Sequence, residues 1–162
     1  MDIIEEKRKT MKISTKGKYA LEIVADLALH SDSEHPESLK NIALRRGLSE
    51  KYLERIIKAL KVSGIVRSER GACGGYCLAL PVGDLTAYDV LKASEGELAP
   101  VECLTKNTDC GIDCAKCPTQ EVWRSMWEVI KEVSAGVTIE DIIQAAEQDK
   151  NVLTSSGFSA IT

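Results

Sequence analysis

Two short amphipathic segments separated only by Gly47-Leu48-Ser49 leave the chain few folds to choose from. Ser38 is placed to N-cap the first segment, Leu39 to Arg46, which turns Leu39, Ile42 and Ala43 inward and meets a stop at Gly47. Ser49 is placed to cap the second, Glu50 to Ser63, whose apolar face is Leu53, Ile56, Ile57 and Leu60 and whose stop is Gly64. Two helices joined by so short a connection form a helix-turn-helix.

The flanking pattern extends this unit. From Ser14 to His30 the chain reads as a helix, with Tyr19, Ile23 and Leu27 recurring four residues apart, and residues 31–38, with Pro36 among them, break it. After the helix-turn-helix, residues 65–68 and 76–80 read as two short strands around the tip Glu69-Arg-Gly-Ala-Cys-Gly-Gly75. Thr86 and Asp89 form a capping-box pattern for a helix to about Glu95. Residues 119–135 read as the longest helix, with Val122, Trp123, Met126, Ile130 and Val133 at helical spacing, and a last helix runs from Thr138 to about Gln148. The expected fold is mostly α with a small β-hairpin wing: a winged helix-turn-helix domain followed by a long C-terminal dimerisation helix.

The expected division is a flexible extension at 1–10, a winged-helix domain at 11–96, a cysteine-rich loop at 97–118, dimerisation helices at 119–148 and a flexible tail at 149–162. The chain has no run of eighteen apolar residues and no apolar signal-peptide core, so a membrane partner is not expected and a cytoplasmic location is. There is no Ser/His/Asp arrangement and no phosphate-binding glycine loop, so no enzymatic activity is expected.

A net charge of −4 argues at first against a nucleic-acid partner. Its distribution removes the objection. Residues 11–75 hold twelve Lys/Arg against eight Asp/Glu, a net of +4, whereas residues 76–162 hold six against fourteen, a net of −8. In a winged helix the second helix of the turn motif enters the major groove and reads bases from its N-terminal residues. That brings Ser49, Lys51, Tyr52, Glu54, Arg55 and Lys58 to double-stranded DNA, the basic residues to phosphates or guanine edges and Glu54 to cytosine N4. Gly74 and Gly75 at the wing let backbone approach a phosphate or the minor groove, and Arg70 beside them is the charged reader. Winged helices also serve as protein–protein modules, and Lys/Arg on an exposed helix face can be simple solvation.

Four of the six cysteines, Cys103, Cys110, Cys114 and Cys117, fall within fifteen residues that lack a helical period. Four soft ligands on one loop suit an iron–sulfur cluster or a tetrahedral metal. Structural zinc usually takes two tight Cys pairs, and only Cys114/Cys117 is tight here. That tilts the pattern toward iron–sulfur and leaves zinc, or thiols acting without metal, as alternatives. Cys73 and Cys77 lie apart, on the wing, where an apolar filler and a turn residue account for them.

Residues 11–21, 48–54 and 70–76 together resemble the Rrf-two family of bacterial regulators, the IscR/NsrR/CymR type, and the likeness spans about residues 11–148. The resemblance implies a homodimeric winged-helix repressor or activator. It implies DNA contacts at Ser49, Lys51, Tyr52, Glu54, Arg55 and Arg70, and a usual family start matching Met11. It also implies a cluster triad in the loop before the long helix, matched best by Cys103, Cys110 and Cys117. Two family positions for a fourth ligand are occupied by Gln120 and Lys18, so Cys114 is the most economical fourth, and [2Fe–2S] and [4Fe–4S] are both open. The expected function is a transcriptional regulator that senses iron–sulfur, redox or nitrosative status through this loop. The alternative is a cluster-free regulator of cysteine metabolism, controlled by a protein partner or metabolite, with zinc or free thiols in the loop.

Overall fold

A computed structural model describes residues 13–71, 73–106 and 111–155, with side chains to residue 148, and holds six α-helices and one two-stranded sheet among them. The helices are α1 (Thr15–His30), α2 (Leu39–Arg46), α3 (Glu50–Val62), α4 (Ala87–Glu95), α5 (Gln120–Ala135) and α6 (Ile139–Ser155). Strands β1 (Val66–Glu69) and β2 (Gly75–Leu78) follow α3, and single 3-10 turns stand at Glu102–Leu104 and Cys114–Lys116.

Local chemistry sets the boundaries. The hydroxyls of Ser14, Ser38 and Ser49 accept from the backbone N–H groups of Lys16, Asn41 and Tyr52, satisfying one orphan donor at the start of each of the first three helices. Gly47 ends α2 at φ 64°, a left-handed geometry that costs glycine little, and this lets α3 start three residues later. Thr86 and Asp89 form the reciprocal capping box at α4. With these caps, Leu53, Ile56, Ile57 and Leu60 of α3 are fully or almost fully buried against Ile23, Val24 and Leu27 of α1 and Ile42 of α2. Each such side chain contributes about 1.5–3 kcal/mol on burial.

β1 and β2 pair antiparallel with Val66 opposite Leu78 and Arg67 opposite Cys77. A third segment, which the periodicity did not reveal, joins the other edge of β2. Glu37 donates to and accepts from Tyr76, both at 2.8 Å.

The C-terminal part packs back onto the winged-helix core. Thr138 bridges Thr86, and Ile139 donates to Leu85 O at 2.8 Å while its side chain is fully buried in the same core as α1 and α3. Residues 137–143 therefore help to build the winged-helix domain rather than lying outside it. α6 is longer than expected, reaching Ser155 instead of about Gln148, and at 17 residues it exceeds the 16 of α5. Its start is stabilised by Thr138 and Asp141, which cap each other, and no Gly or Pro interrupts the sequence before Gly157. The tail expected at 149–162 is thus helical as far as Ser155; residues 1–12 and 156–162 lie outside the described residues.

Candidate nucleic-acid interface and cysteine loop

The amphipathic period of α3 buries one face and frees the other. Ser49, Lys51, Glu54, Arg55 and Lys58 are exposed. Lys51, Arg55 and Lys58, spaced by four and three residues, share a side of the helix. Tyr52 is half-buried and packs edge-on to Tyr19, ring centroids 6.0 Å apart, so its ring helps to seat α3 on α1.

The described arginines divide sharply. Arg45 and Arg46 pair with Asp26, Arg67 with Glu69 and Arg124 with Glu121, whereas Arg55 and Arg70 have no acidic partner among the described residues. The two that sequence reasoning selected for DNA are the two left uncommitted. Arg70 is exposed at the start of the wing tip.

The glycines of the wing serve the fold. A Cβ on Gly75 would stand 2.7 Å from the carbonyl carbon of Glu37 and closer still to its oxygen; one on Gly74 would stand 2.6 Å from Glu69 O. Their missing side chains let β2 approach the Glu37 segment and let the hairpin close, an approach to protein backbone that spacing alone could not distinguish from an approach to DNA. Cys73 is exposed, and Cys77 is buried and accepts from Arg67 Nε at 3.1 Å.

A polar network sequence reasoning missed underlies the helix-turn-helix. Asp26 of α1 is fully buried and accepts from Arg45 Nη2 at 2.7 Å, Arg45 Nε at 3.1 Å and Arg46 Nε at 2.9 Å. Burial pushes its carboxyl up, but hydrogen bonds and charge from Arg45 and Arg46 outweigh that and hold it below the ordinary range. Arg45 Nη2 also donates to Glu37 Oε2 at 2.7 Å. Glu37 Oε1 accepts from Ser38 N and Asn41 Nδ2, both at 2.8 Å. Burial raises Glu37 as well, and these donors lower it further than burial lifts it. The signal available in the sequence was an aspartate on the inward side of an otherwise apolar helix face.

On the cysteine loop, Cys103 lies in the first 3-10 turn and Cys114 opens the second; both are exposed, and Cys117 is half-buried. Cys110 lies outside the described residues. The donor chemistry suits a soft metal or cluster, but among the described residues no group of three His, Cys, Asp or Glu stands close enough to hold one. The Thr119 hydroxyl, 3.5 Å from Cys117 Sγ, and then the Thr119 backbone N–H hold that thiol below its ordinary value.

Beyond the loop, α5 buries Trp127 against Leu91 and Leu98 and leaves Val122, Met126, Val129 and Val133 exposed at a heptad-like spacing. Val129 and Val133 also line a cleft of about 630 Å³ between α5 and the end of α4.

A model of the Rrf2 family, described as an iron-dependent transcriptional regulator, matches residues 13–145. The chain belongs to the Rrf2 family. It is 42% identical over 132 residues to the HTH-type transcriptional regulator CymR of Bacillus subtilis (strain 168), covering 82% of this chain and 89% of that protein. The solved structure of CymR, the global cysteine regulator of B. subtilis, superposes with a TM-score of 0.67 at 40% identity, over 83% of this chain and 97% of that one. The structure of T. potens IscR gives 0.67 at 38% identity, over 85% and 90%. This Rrf2 member is accordingly a DNA-binding transcriptional regulator with a winged-helix fold, in a family of regulators rather than enzymes. Among its described residues no helix is long and apolar enough to cross a membrane.

Proposed function

We propose that this chain is a cytoplasmic homodimer that binds an operator through Ser49, Lys51, Tyr52, Glu54, Arg55 and Lys58 of α3 and through Arg70 of the wing. The observation that carries this reading is the freedom of Arg55 and Arg70 where the other described arginines are paired. An exposed guanidinium withheld from carboxylates is available to phosphates and guanine edges. The α5 stripe supplies an apolar face for a second copy. Two copies would present α3 to half-sites about 34–36 Å apart.

The loop of residues 97–118 is the sensor in this reading, with Cys103, Cys110, Cys114 and Cys117 as ligands of an iron–sulfur cluster, [2Fe–2S] or [4Fe–4S]. Its support is four thiols within fifteen residues and a family model described as iron-dependent. A second reading is favoured by the likeness to CymR, named as the global cysteine regulator of B. subtilis. In it the loop holds zinc or free thiols and a protein partner or metabolite sets DNA affinity.

The DNA reading is tested with a duplex selected from a random-sequence pool by the wild-type protein. About six to ten phosphate contacts make affinity fall roughly 10³–10⁵-fold between about 50 and 200 mM salt. A flat salt response, or unchanged affinity in both Arg55→Ala and Arg70→Ala, refutes this interface. Anaerobic purification separates the two sensor readings: iron with acid-labile sulfide supports the cluster, and a colourless protein lacking both supports the second.

A further inference from the structure

We infer that Asp26, Arg45 and Glu37 form a positioning device that holds the wing against the helix-turn-helix, so that Arg70 and the exposed face of α3 meet one operator together. The inference rests on the DNA reading above and assigns Glu37 as its central positioning residue.

Glu37 is the only described residue whose side chain engages the first helix of the turn motif while its backbone pairs with the wing. Its Oε2 accepts from Arg45 of α2, its Oε1 accepts from Asn41 of α2, and its N–H and C=O pair with Tyr76 of β2. Arg45 is in turn clamped to Asp26, which the α1 core surrounds. A hydrogen-bonded path thus runs from the buried core through α2 to the strand that follows the wing tip. On the opposite side, Lys61 of α3 donates to Ser68 of β1 at 2.8 Å and stands 5.9 Å over the Tyr76 ring. The hairpin is therefore held from both elements of the turn motif. A two-stranded hairpin alone is only marginally ordered, so its angle is set by what grips its base. The absence of a Cβ at Gly75 allows the grip at Glu37 to be this close.

The test is a double-mutant cycle on the full-length protein with the selected duplex. Arg70→Ala removes the proposed wing contact, with an expected loss of about 10-fold in affinity and about one unit of salt slope. If Glu37→Ala releases the wing, it should cost about the same on both scales. The double variant should then lose about 10-fold, not about 100-fold, because the contact has already been lost. Gly75→Ala, which crowds the same junction from the wing side, should give the same non-additivity with Arg70→Ala should the Glu37 variant fold poorly. A role confined to fold stability would lower the active fraction equally in both backgrounds, giving multiplied losses and an unchanged salt slope. That result overturns the positioning role while leaving the DNA reading intact. Wild-type affinity and salt slope in Arg70→Ala would instead remove the wing contact itself, and the device with it.

Discussion

Replacing Asp26 by asparagine isolates the energetic centre of the helix-turn-helix. Asp26 is fully buried, yet two guanidiniums converge on it, with Arg45 Nη2 at 2.7 Å from Oδ1 and Arg46 Nη2 at 2.8 Å from Oδ2. Removing one partner of a buried ion pair costs about 3–5 kcal/mol, because the remaining charge loses its compensation. Here the arginine side chains retain 31% and 28% exposure, and Arg45 keeps Glu37, so both recover part of their hydration or pairing. The expected loss for Asp26→Asn is therefore at the lower end, about 3 kcal/mol at pH 7. For a urea m-value near 2 kcal/mol/M this moves the midpoint down by about 1.5 M. The measurement is urea unfolding at one fixed protomer concentration, since a dimer's midpoint shifts with concentration. The pH dependence adds a second constraint. The folded Asp26 lies below its ordinary value of 3.8, so its contribution is complete above that value and is lost as pH falls through the folded one. The gap between wild type and Asp26→Asn should therefore stay constant from pH 7 to about 5 and close below about pH 4. A midpoint shift under about 0.3 M at pH 7, or a gap that persists undiminished to pH 3, refutes the reasoning. The triple variant Asp26→Leu, Arg45→Met, Arg46→Met should regain most of the stability, since apolar side chains of similar volume can replace a buried ion pair. It should not regain DNA affinity, because Glu37 would still lack Arg45.

Three further outcomes follow from the packing. Ile139→Ala should cost about 2–4 kcal/mol in urea unfolding, since Ile139 is fully buried against the winged-helix core; a loss below about 1 kcal/mol would mean that the C-terminal segment is not part of that core. Val129→Glu, on the exposed stripe of α5, should convert dimer to monomer in sedimentation velocity at micromolar concentration with little change in the monomer's fold by circular dichroism. Ser49→Ala should lose about 1 kcal/mol of stability, because its hydroxyl caps α3 by accepting from Tyr52 N, and Ser49→Asp should restore most of it.

What the sequence made legible was local. Caps at Ser38 and Ser49, the stop at Gly47 and the apolar stripe of α3 are read from residues within one or two turns of each other, and all stand in the structure as the pattern requires. The bridge from Glu37 to Tyr76 was not legible, because one residue paired to a strand 39 positions away leaves no period to detect. Ile139 posed a related problem. The residues around it are amphipathic and consistent with a separate dimer arm, and only the three-dimensional placement of residues 137–139 beside residues 85–87 puts its side chain into the first domain's core.

The site divides along the same line. An exposed basic helix face is half of an interface argument; the other half is which charges are already spoken for, and that depends on contacts between distant segments. Sequence spacing treats Arg45, Arg46, Arg55, Arg67 and Arg70 alike, but Asp26, Glu37 and Glu69 take up three of them. The acids that neutralise Arg45 and Arg46 also fix the geometry in which Arg55 and Arg70 are presented. The +4 charge of residues 11–75 is thus not spread evenly over the surface. Its paired part includes Arg45, Arg46 and Arg67, whereas Arg55 on α3 and Arg70 at the wing tip have no acidic partner among the described residues. A substitution that frees Arg45 or Arg46 from Asp26 would accordingly add exposed positive charge to the domain while weakening specific binding, because phosphate attraction without fixed register does not read sequence.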